Sequence, residues 1–142
     1  MEPITIREFL YPGDYSDALR LWEKTEKGIH VGASDAPEEI EKKLQRDPEL
    51  FLVAEANGKL IGTIIGGFDG RRGLIYHVAV VAEFRGQRIG ARLMEEVENR
   101  LRAKGCIRCY LLVNKDNHEA RGFYEKHGWN LLEDTPYAKD LI

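Results

Sequence analysis

Val78-Ala79-Val80-Val81-Ala82-Glu83-Phe84-Arg85-Gly86-Gln87-Arg88-Ile89-Gly90-Ala91 reads as an apolar strand, a short loop, and the first turn of a long helix. A helix start leaves backbone N–H groups without intrahelical partners and carries a partial positive charge, so it attracts anions. Gly86 and Gly90 allow a ligand to approach the backbone closely. Arg85, Arg88 and Arg92 stand where the helix dipole disfavours cations. Such a run of exceptions fits either a polyanion such as a pyrophosphate or a solvated basic face. The glycine spacing is neither G-x-G-x-x-G nor a Walker loop.

Working outward, Ile89–Lys104 is the clearest helix, with Ile89, Leu93, Met94, Val97 and Leu101 on one face. Glu96/Arg100 and Glu98/Arg102 are i,i+4 pairs on its wet side, and Gly105 stops it. Upstream, Leu74–Val81 is apolar on both faces, as an interior strand would be. Leu50–Ala56 and Lys59–Phe68 are strands joined by Asn57-Gly58, the strongest short hairpin signal. Ile4 and Ile6 alternate with polar residues in a first strand. Asp14 can cap a helix carrying Tyr15, Ala18, Leu19 and Trp22. Lys24–Ala33, with Gly28 and Gly32, reads as a loop or a broken helix. Asp35-Ala36-Pro37-Glu38 is a capping-box-like start to a second helix that ends near Pro48.

Downstream, Cys106–Val113 is a strand and Asn117 caps a short helix with Ala120, Phe123, Tyr124 and His127 on its apolar face. Trp129–Leu132 and Tyr137–Ile142 are the expected final strands. The order is β-α-α-β-β-β-α-β-α-β-β. Hairpins beside a strand–helix–strand–helix run predict an α/β fold of the α+β type, with a mixed sheet flanked by helices. Residues 1–142 read as a single domain.

Composition sets broad limits. The chain is 43% hydrophobic and 32% charged, with a formal net charge of -3. That acidic balance argues against sequence-independent nucleic-acid binding, which relies on Lys and Arg neutralising phosphates. No run approaches the roughly 20 apolar residues of a membrane span, and the first ten residues do not form a signal peptide. The expectation is a cytoplasmic protein with no membrane partner. Cys106 and Cys109 form a C-x-x-C, but no second pair completes a zinc site. A strand would send them to opposite faces, so they read as two reduced structural thiols and no metal is expected.

The stretch Arg85-Gly86-Gln87-Arg88-Ile89-Gly90 resembles the acetyl-CoA-binding motif R/Q-x-x-G-x-G/A of the GNAT superfamily of N-acetyltransferases. Arg88 stands where the family usually has its first glycine. Independently, Asn117-His118-Glu119-Ala120-Arg121-Gly122-Phe123-Tyr124-Glu125-Lys126-His127-Gly128-Trp129 resembles the family's N-x-x-A-x-x-[LF]-Y-x-x-x-G-[FW]. The spacing of the two motifs and the order of elements fit the family over nearly the whole chain, most closely its small stand-alone bacterial members.

The resemblance implies a splayed strand pair with the pantetheine arm of acetyl-CoA in the gap. Val78, Ala79 and Val80 would line the arm. Arg85, Gly86, Gln87, Arg88, Ile89, Gly90 and Ala91 would cradle the pyrophosphate, and Asn117 would hydrogen-bond the arm from the other side. The implied reaction is direct transfer of the acetyl group to an amine, with a backbone N–H near Val78 as oxyanion donor. Tyr124 matches the family's general acid toward the leaving thiolate; read alone, it would be a core residue.

The base is open. Some relatives that acetylate protein N-termini carry a Glu five residues before Asn117, where this chain has Leu112. Tyr76, His77 and Glu23 are the candidates. The acceptor site is expected between Trp22–Ala33 and the Gly66–Gly73 hairpin, because Gly66-Gly67 inside a strand indicates close approach of a ligand or backbone. Asp69 either attracts a cationic amine or makes the turn with Gly70. The expected acceptor is a primary amine of a small molecule, amino acid or peptide. The alternatives are a protein Lys or N-terminus, or a non-catalytic acyl-CoA sensor. The chain is expected to be a monomer or homodimer.

Overall fold

Asn57 and Gly58 have φ of 52° and 74°, the left-handed pair a two-residue hairpin requires. They join strands β2 (Phe51–Ala56) and β3 (Lys59–Phe68). This hairpin is the centre of the computed structural model, which describes residues 3–25 and 29–142; Gly28 of the expected loop lies outside them. β1 (Ile4–Glu8) pairs antiparallel with β2, and β4 (Gly73–Val80) antiparallel with β3. β5 (Cys109–Leu111) runs parallel to β4, so the sheet is mixed, in the order β1-β2-β3-β4-β5.

Helices cover both faces. α1 (Tyr15–Lys24) and α2 (Pro37–Arg46) lie on one, and α3 (Ile89–Ala103) lies on the other. β2 serves both cores by alternation. Leu52 and Ala54 meet Ile89, Leu93, Met94, Val97 and Leu101 of α3, while Phe51 and Val53 meet Ala18, Trp22 and Ile40. Fully burying one such side chain contributes about 1.5–3 kcal/mol. The expected pairs Glu96/Arg100 and Glu98/Arg102 form, at 2.8 and 3.6 Å. α4 (His118–Lys126) is capped by Asn117, whose Oδ1 accepts from the Ala120 N–H at 3.1 Å.

Several expectations need correction. Asp14 sits at the start of α1, but its carboxylate leaves the helix and binds Arg7 and the Leu10 N–H. α2 starts on Ala36 with no side-chain cap, because the Asp35 carboxylate turns elsewhere. Gly66 does admit a close neighbour, but it is the core: a Cβ there would lie 2.8 Å from Val97 Cγ2. Of the two readings of Asp69 the turn holds: its Oδ1 accepts from the Arg71 and Arg72 N–H groups at 2.8 Å each. Cys106 precedes β5, so strand alternation does not separate the thiols. A Cβ on Gly73 would meet Cys106 Sγ and Cys109 Cβ at 3.0 Å each. Both cysteines are free, and burial pushes the Cys109 thiol up to about 11.

The two expected C-terminal strands do not form; residues 129–142 have no regular structure. A strand needs a ladder partner, and the outer strand β5 is only three residues long. Tyr137, Leu141 and Ile142 are almost fully exposed, so Tyr137–Ile142 buries no apolar face to hold it against the sheet. Among the described residues no helix is long and apolar enough to cross a membrane.

Candidate active site

β4 and β5 pair only from Gly73↔Cys109 to Ile75↔Leu111, whereas β4 continues to Val80. Beyond Ile75 the two strands part. The Val81 N–H donates to the Ile61 carbonyl at 2.8 Å. By strand alternation Ala79 therefore faces β3, while Val78 and Val80 turn their backbone polar groups toward the gap. The split thus presents a row of backbone donors and acceptors that no fifth strand uses.

A β-bulge shapes the same stretch. Thr63 pairs with Ala79 and Ile65 with Tyr76, so His77 and Val78 together oppose Ile64. His77 takes a φ of 53°. Its carbonyl accepts from Thr63 Oγ1 at 2.8 Å, and Thr63 Oγ1 accepts from Trp22 Nε1 at 2.9 Å. The imidazole packs edge-on to Trp22, with centroids 4.7 Å apart, and its Nε2 lies 2.7 Å from Asp35 Oδ1. Tyr76 adjoins it at 5.4 Å between rings, and burial followed by the Asp35 charge raises the Tyr76 hydroxyl above its ordinary pKa. Glu23 is exposed on α1 and makes no bond in this network.

At the end of β4 the chain passes through a 3₁₀ turn, Ala82–Phe84, and reaches Arg85. Arg85, Gly86, Gln87 and Arg88 are exposed, and Arg85 Nε donates to the Val80 carbonyl at 3.3 Å. Gly86 has a φ of 85° and Arg88 one of 64°. The second value explains why a glycine suits position 88: a Cβ in the left-handed region costs about 1–2 kcal/mol. Ile89 and Ala91 bury their side chains in the core, leaving only their backbone to face a ligand. Arg92 departs from the expected cluster and donates to the Ile4 carbonyl at 3.2 Å.

α4 closes the opposite side. A Cβ on Gly90 would touch Phe123 Cζ at 3.6 Å, so α4 abuts the start of α3. Tyr124, Val78, Val80 and Trp129 all pack against the core on the α3 side of the sheet, and the Tyr124 and Trp129 rings meet edge-on with centroids 6.2 Å apart. Burial pushes its hydroxyl up to about 12, and that hydroxyl has no hydrogen-bond partner among the described residues. Asn117 spends its Oδ1 on the helix cap and keeps its amide N–H groups free to donate. The structure therefore sets Val78 and Val80 beside the split, with the Arg85–Arg88 loop past the end of β4, Tyr124 against the α3-side core and Asn117 at the start of α4. It places His77, Tyr76 and Ala79 at the same split on β4, with His77 and Ala79 on the α1 side, and leaves Glu23 out. Asp35 and Thr63 were not legible in advance as parts of this site.

Beside the end of β4, a groove of about 500 Å³ lies between α1 and the start of β3, lined by residues including Leu21, Lys24, Leu60, Val81 and Arg85. Among the described residues no three His, Cys, Asp or Glu side chains gather as a metal site would require.

An acetyltransferase of Pectobacterium atrosepticum is 38% identical over 129 residues, covering 91% of this chain and 90% of its own length. Ard1 from Thermoplasma volcanium has a similar structure, with a TM-score of 0.79 and 28% identity over 91% of this chain and 84% of its own. The PaiA N-acetyltransferase of Thermoplasma acidophilum, solved with coenzyme A, shares the fold at a TM-score of 0.75 and 22% identity, over 94% and 93% of the two chains. The sequence model of the acetyltransferase (GNAT) family matches residues 16–129, from α1 through Trp129. With the split strands and both flanking motifs lying inside that match, the chain belongs to the GNAT family of acetyl-CoA-dependent acetyltransferases.

Proposed function

We propose that the protein transfers the acetyl group of acetyl-CoA to a primary amine of a small molecule, amino acid or peptide, with its donor seated in the β4–β5 split. One observation carries this reading: β4 runs on past its last pairing with β5, so Val78 and Val80 turn backbone groups into a gap that ends at the exposed loop Arg85–Arg88 and the start of α3. An extended, amide-bearing arm attached to a pyrophosphate fits that sequence of features. Val78 and Val80 would hold the arm, Arg85 and Arg88 with the backbone of Gly86–Gly90 would take the pyrophosphate, and Asn117 would donate to the arm from α4. Acetyl-CoA, when bound, supplies an activated carbonyl and a thiolate leaving group.

The chain's own groups then divide the work. The Val78 N–H is aimed into the split and would stabilise charge growing on the carbonyl oxygen. Tyr124, whose hydroxyl is protonated at neutral pH and is pushed up further to about 12 by burial, would donate to sulfur.

Thermal unfolding with and without acetyl-CoA, with adenosine as control, tests the donor site. At 100 times its dissociation constant the ligand adds about 2.7 kcal/mol, a rise of roughly 5–10 °C for this chain length. Thiol release across a panel of amines then tests turnover. A shift without thiol release for any amine would favour a sensor, and release only with protein acceptors would move the substrate to a Lys or N-terminus. No shift at millimolar acetyl-CoA would overturn the donor-site assignment.

A further inference from the structure

His77 combines an unfavourable backbone with a side chain fixed from several directions. Its φ of 53° lies in the left-handed region, which disfavours a residue bearing a Cβ. The bulge that imposes this value turns the imidazole toward Trp22, and Thr63 holds the carbonyl in place. Strain that its surroundings over-determine gathers at functional sites. The neighbouring residue, Val78, is the one whose N–H enters the β4–β5 split.

Asp35 comes from a distant element, the 3₁₀ turn Ala33–Asp35 ahead of α2, and is 4% exposed. Its Oδ2 accepts from the Gly32 N–H at 2.9 Å, and its carbonyl accepts from the Tyr15 hydroxyl at 2.7 Å. Its Oδ1 faces His77 Nε2 at 2.7 Å. A carboxylate only accepts, so Nε2 carries the hydrogen and Nδ1 keeps the lone pair. Nδ1 makes no hydrogen bond to a described residue, and no fully buried side-chain nitrogen or oxygen among them lacks a partner, so Nδ1 is not sealed from solvent, on a side chain that is 15% exposed.

We propose that His77 is the general base of acetyl transfer, accepting the acceptor's proton at Nδ1, and that Asp35 is the positioning residue that fixes its tautomer and balances the imidazolium. This rests on the reading that the β4–β5 split holds the thioester. The acceptor ammonium loses one proton to Nδ1, and its freed nitrogen pair forms the C–N bond. The C–S bond breaks with its electrons passing to sulfur. Sulfur takes the Tyr124 proton, the second nitrogen proton replaces that one through water, and His77 releases its own to solvent. The net products are the amide, the thiol and one proton.

Among the described residues, Asp35 on the 3₁₀ turn and Tyr76 on β4 are the titratable groups against the imidazole; Tyr15 on α1 stands behind Asp35, and the α1 side chain in contact is the uncharged Trp22. The test therefore replaces the pair itself. Asp35→Asn is expected to lower kcat roughly 10–100-fold and to move the acidic limb of kcat/KM to lower pH, because the imidazolium loses its anion. His77→Gln, which can still bond Asp35, is expected to lower kcat about 100-fold or more and to abolish that limb, with acetyl-CoA affinity unchanged. Asp35→Glu should restore part of the rate. Nitrogen-15 NMR of the wild-type imidazole should show the hydrogen on Nε2. A hydrogen on Nδ1, wild-type turnover in His77→Gln, or an unmoved limb in Asp35→Asn would each overturn the proposal. Acetyl-CoA binding and thiol release by the wild type would meanwhile leave the donor-site reading intact.

Discussion

The Trp22 indole Nε1 donates to Thr63 Oγ1 across 2.9 Å, and both side chains are wholly buried. The Thr63 hydroxyl passes its own hydrogen to the His77 carbonyl, tying α1, β3 and the bulge of β4 into one chain of bonds. Thr63→Val keeps the shape and removes both bonds, leaving a buried donor and a buried acceptor without partners. At about 1–3 kcal/mol for each such group, the variant should lose about 3 kcal/mol in urea unfolding. Thr63→Ser should stay within about 1 kcal/mol of wild type.

Arg88 holds a left-handed φ of 64° at the start of α3. Arg88→Gly relieves the backbone while deleting the charge, and Arg88→Ala deletes the charge alone. The glycine variant should be more stable than the alanine variant by about 1 kcal/mol. Both should bind acetyl-CoA several-fold more weakly, most visibly at low ionic strength.

For Tyr124, burial raises the hydroxyl to about 12. A folded pKa above the unfolded value near 10 contributes stability that is complete below pH 10 and lost as pH rises through 12. Tyr124→Phe should therefore show a shallower alkaline loss of stability. Its kcat should fall about 10²-fold, with acetyl-CoA affinity nearly unchanged, as isothermal titration would show.

Gly66 packs so closely against α3 that a Cβ would stand 2.8 Å from Val97 Cγ2. Gly66→Ala should cost about 1–3 kcal/mol. Pairing it with Val97→Ala should recover part of that loss, and a double-mutant cycle measures the coupling.

Burial pushes the Asp14 carboxyl up, but Arg7, bonded at 2.7 and 3.0 Å, and the Leu10 N–H outweigh it and hold the group below its ordinary value. Its contribution is then present above the ordinary carboxylate pKa near 4 and is lost as pH falls through the depressed folded value. Asp14→Asn should flatten the acid limb of stability against pH and leave the neutral region's slope unchanged.

Local signals were legible wherever the chemistry was local. Asn57-Gly58 announces its hairpin because few residues tolerate two positive φ values in succession. The α3 stripe and both GNAT motifs are similarly contiguous. Asp35, by contrast, meets His77 across 42 residues, and its position ahead of Pro37 read as a helix cap. The strain at Arg88 was hidden because arginine is not a usual left-handed residue. Tyr137–Ile142 reads as a strand, but a reading does not supply a neighbour, and β5 is too short to serve as one.

The connectivity of the sheet also orders its assembly in time. β2, β3 and β4 pair through tight hairpins, whereas β4 meets β5 only after the long crossover through α3. Closing that larger loop must precede any reward from the parallel pairing, which slows its formation. The hairpins are thus placed to protect their amides early, and the β4–β5 seam is placed to close late and to exchange its backbone hydrogens soonest. A molecule bridging that seam would slow exchange on two strands that otherwise share only a short ladder.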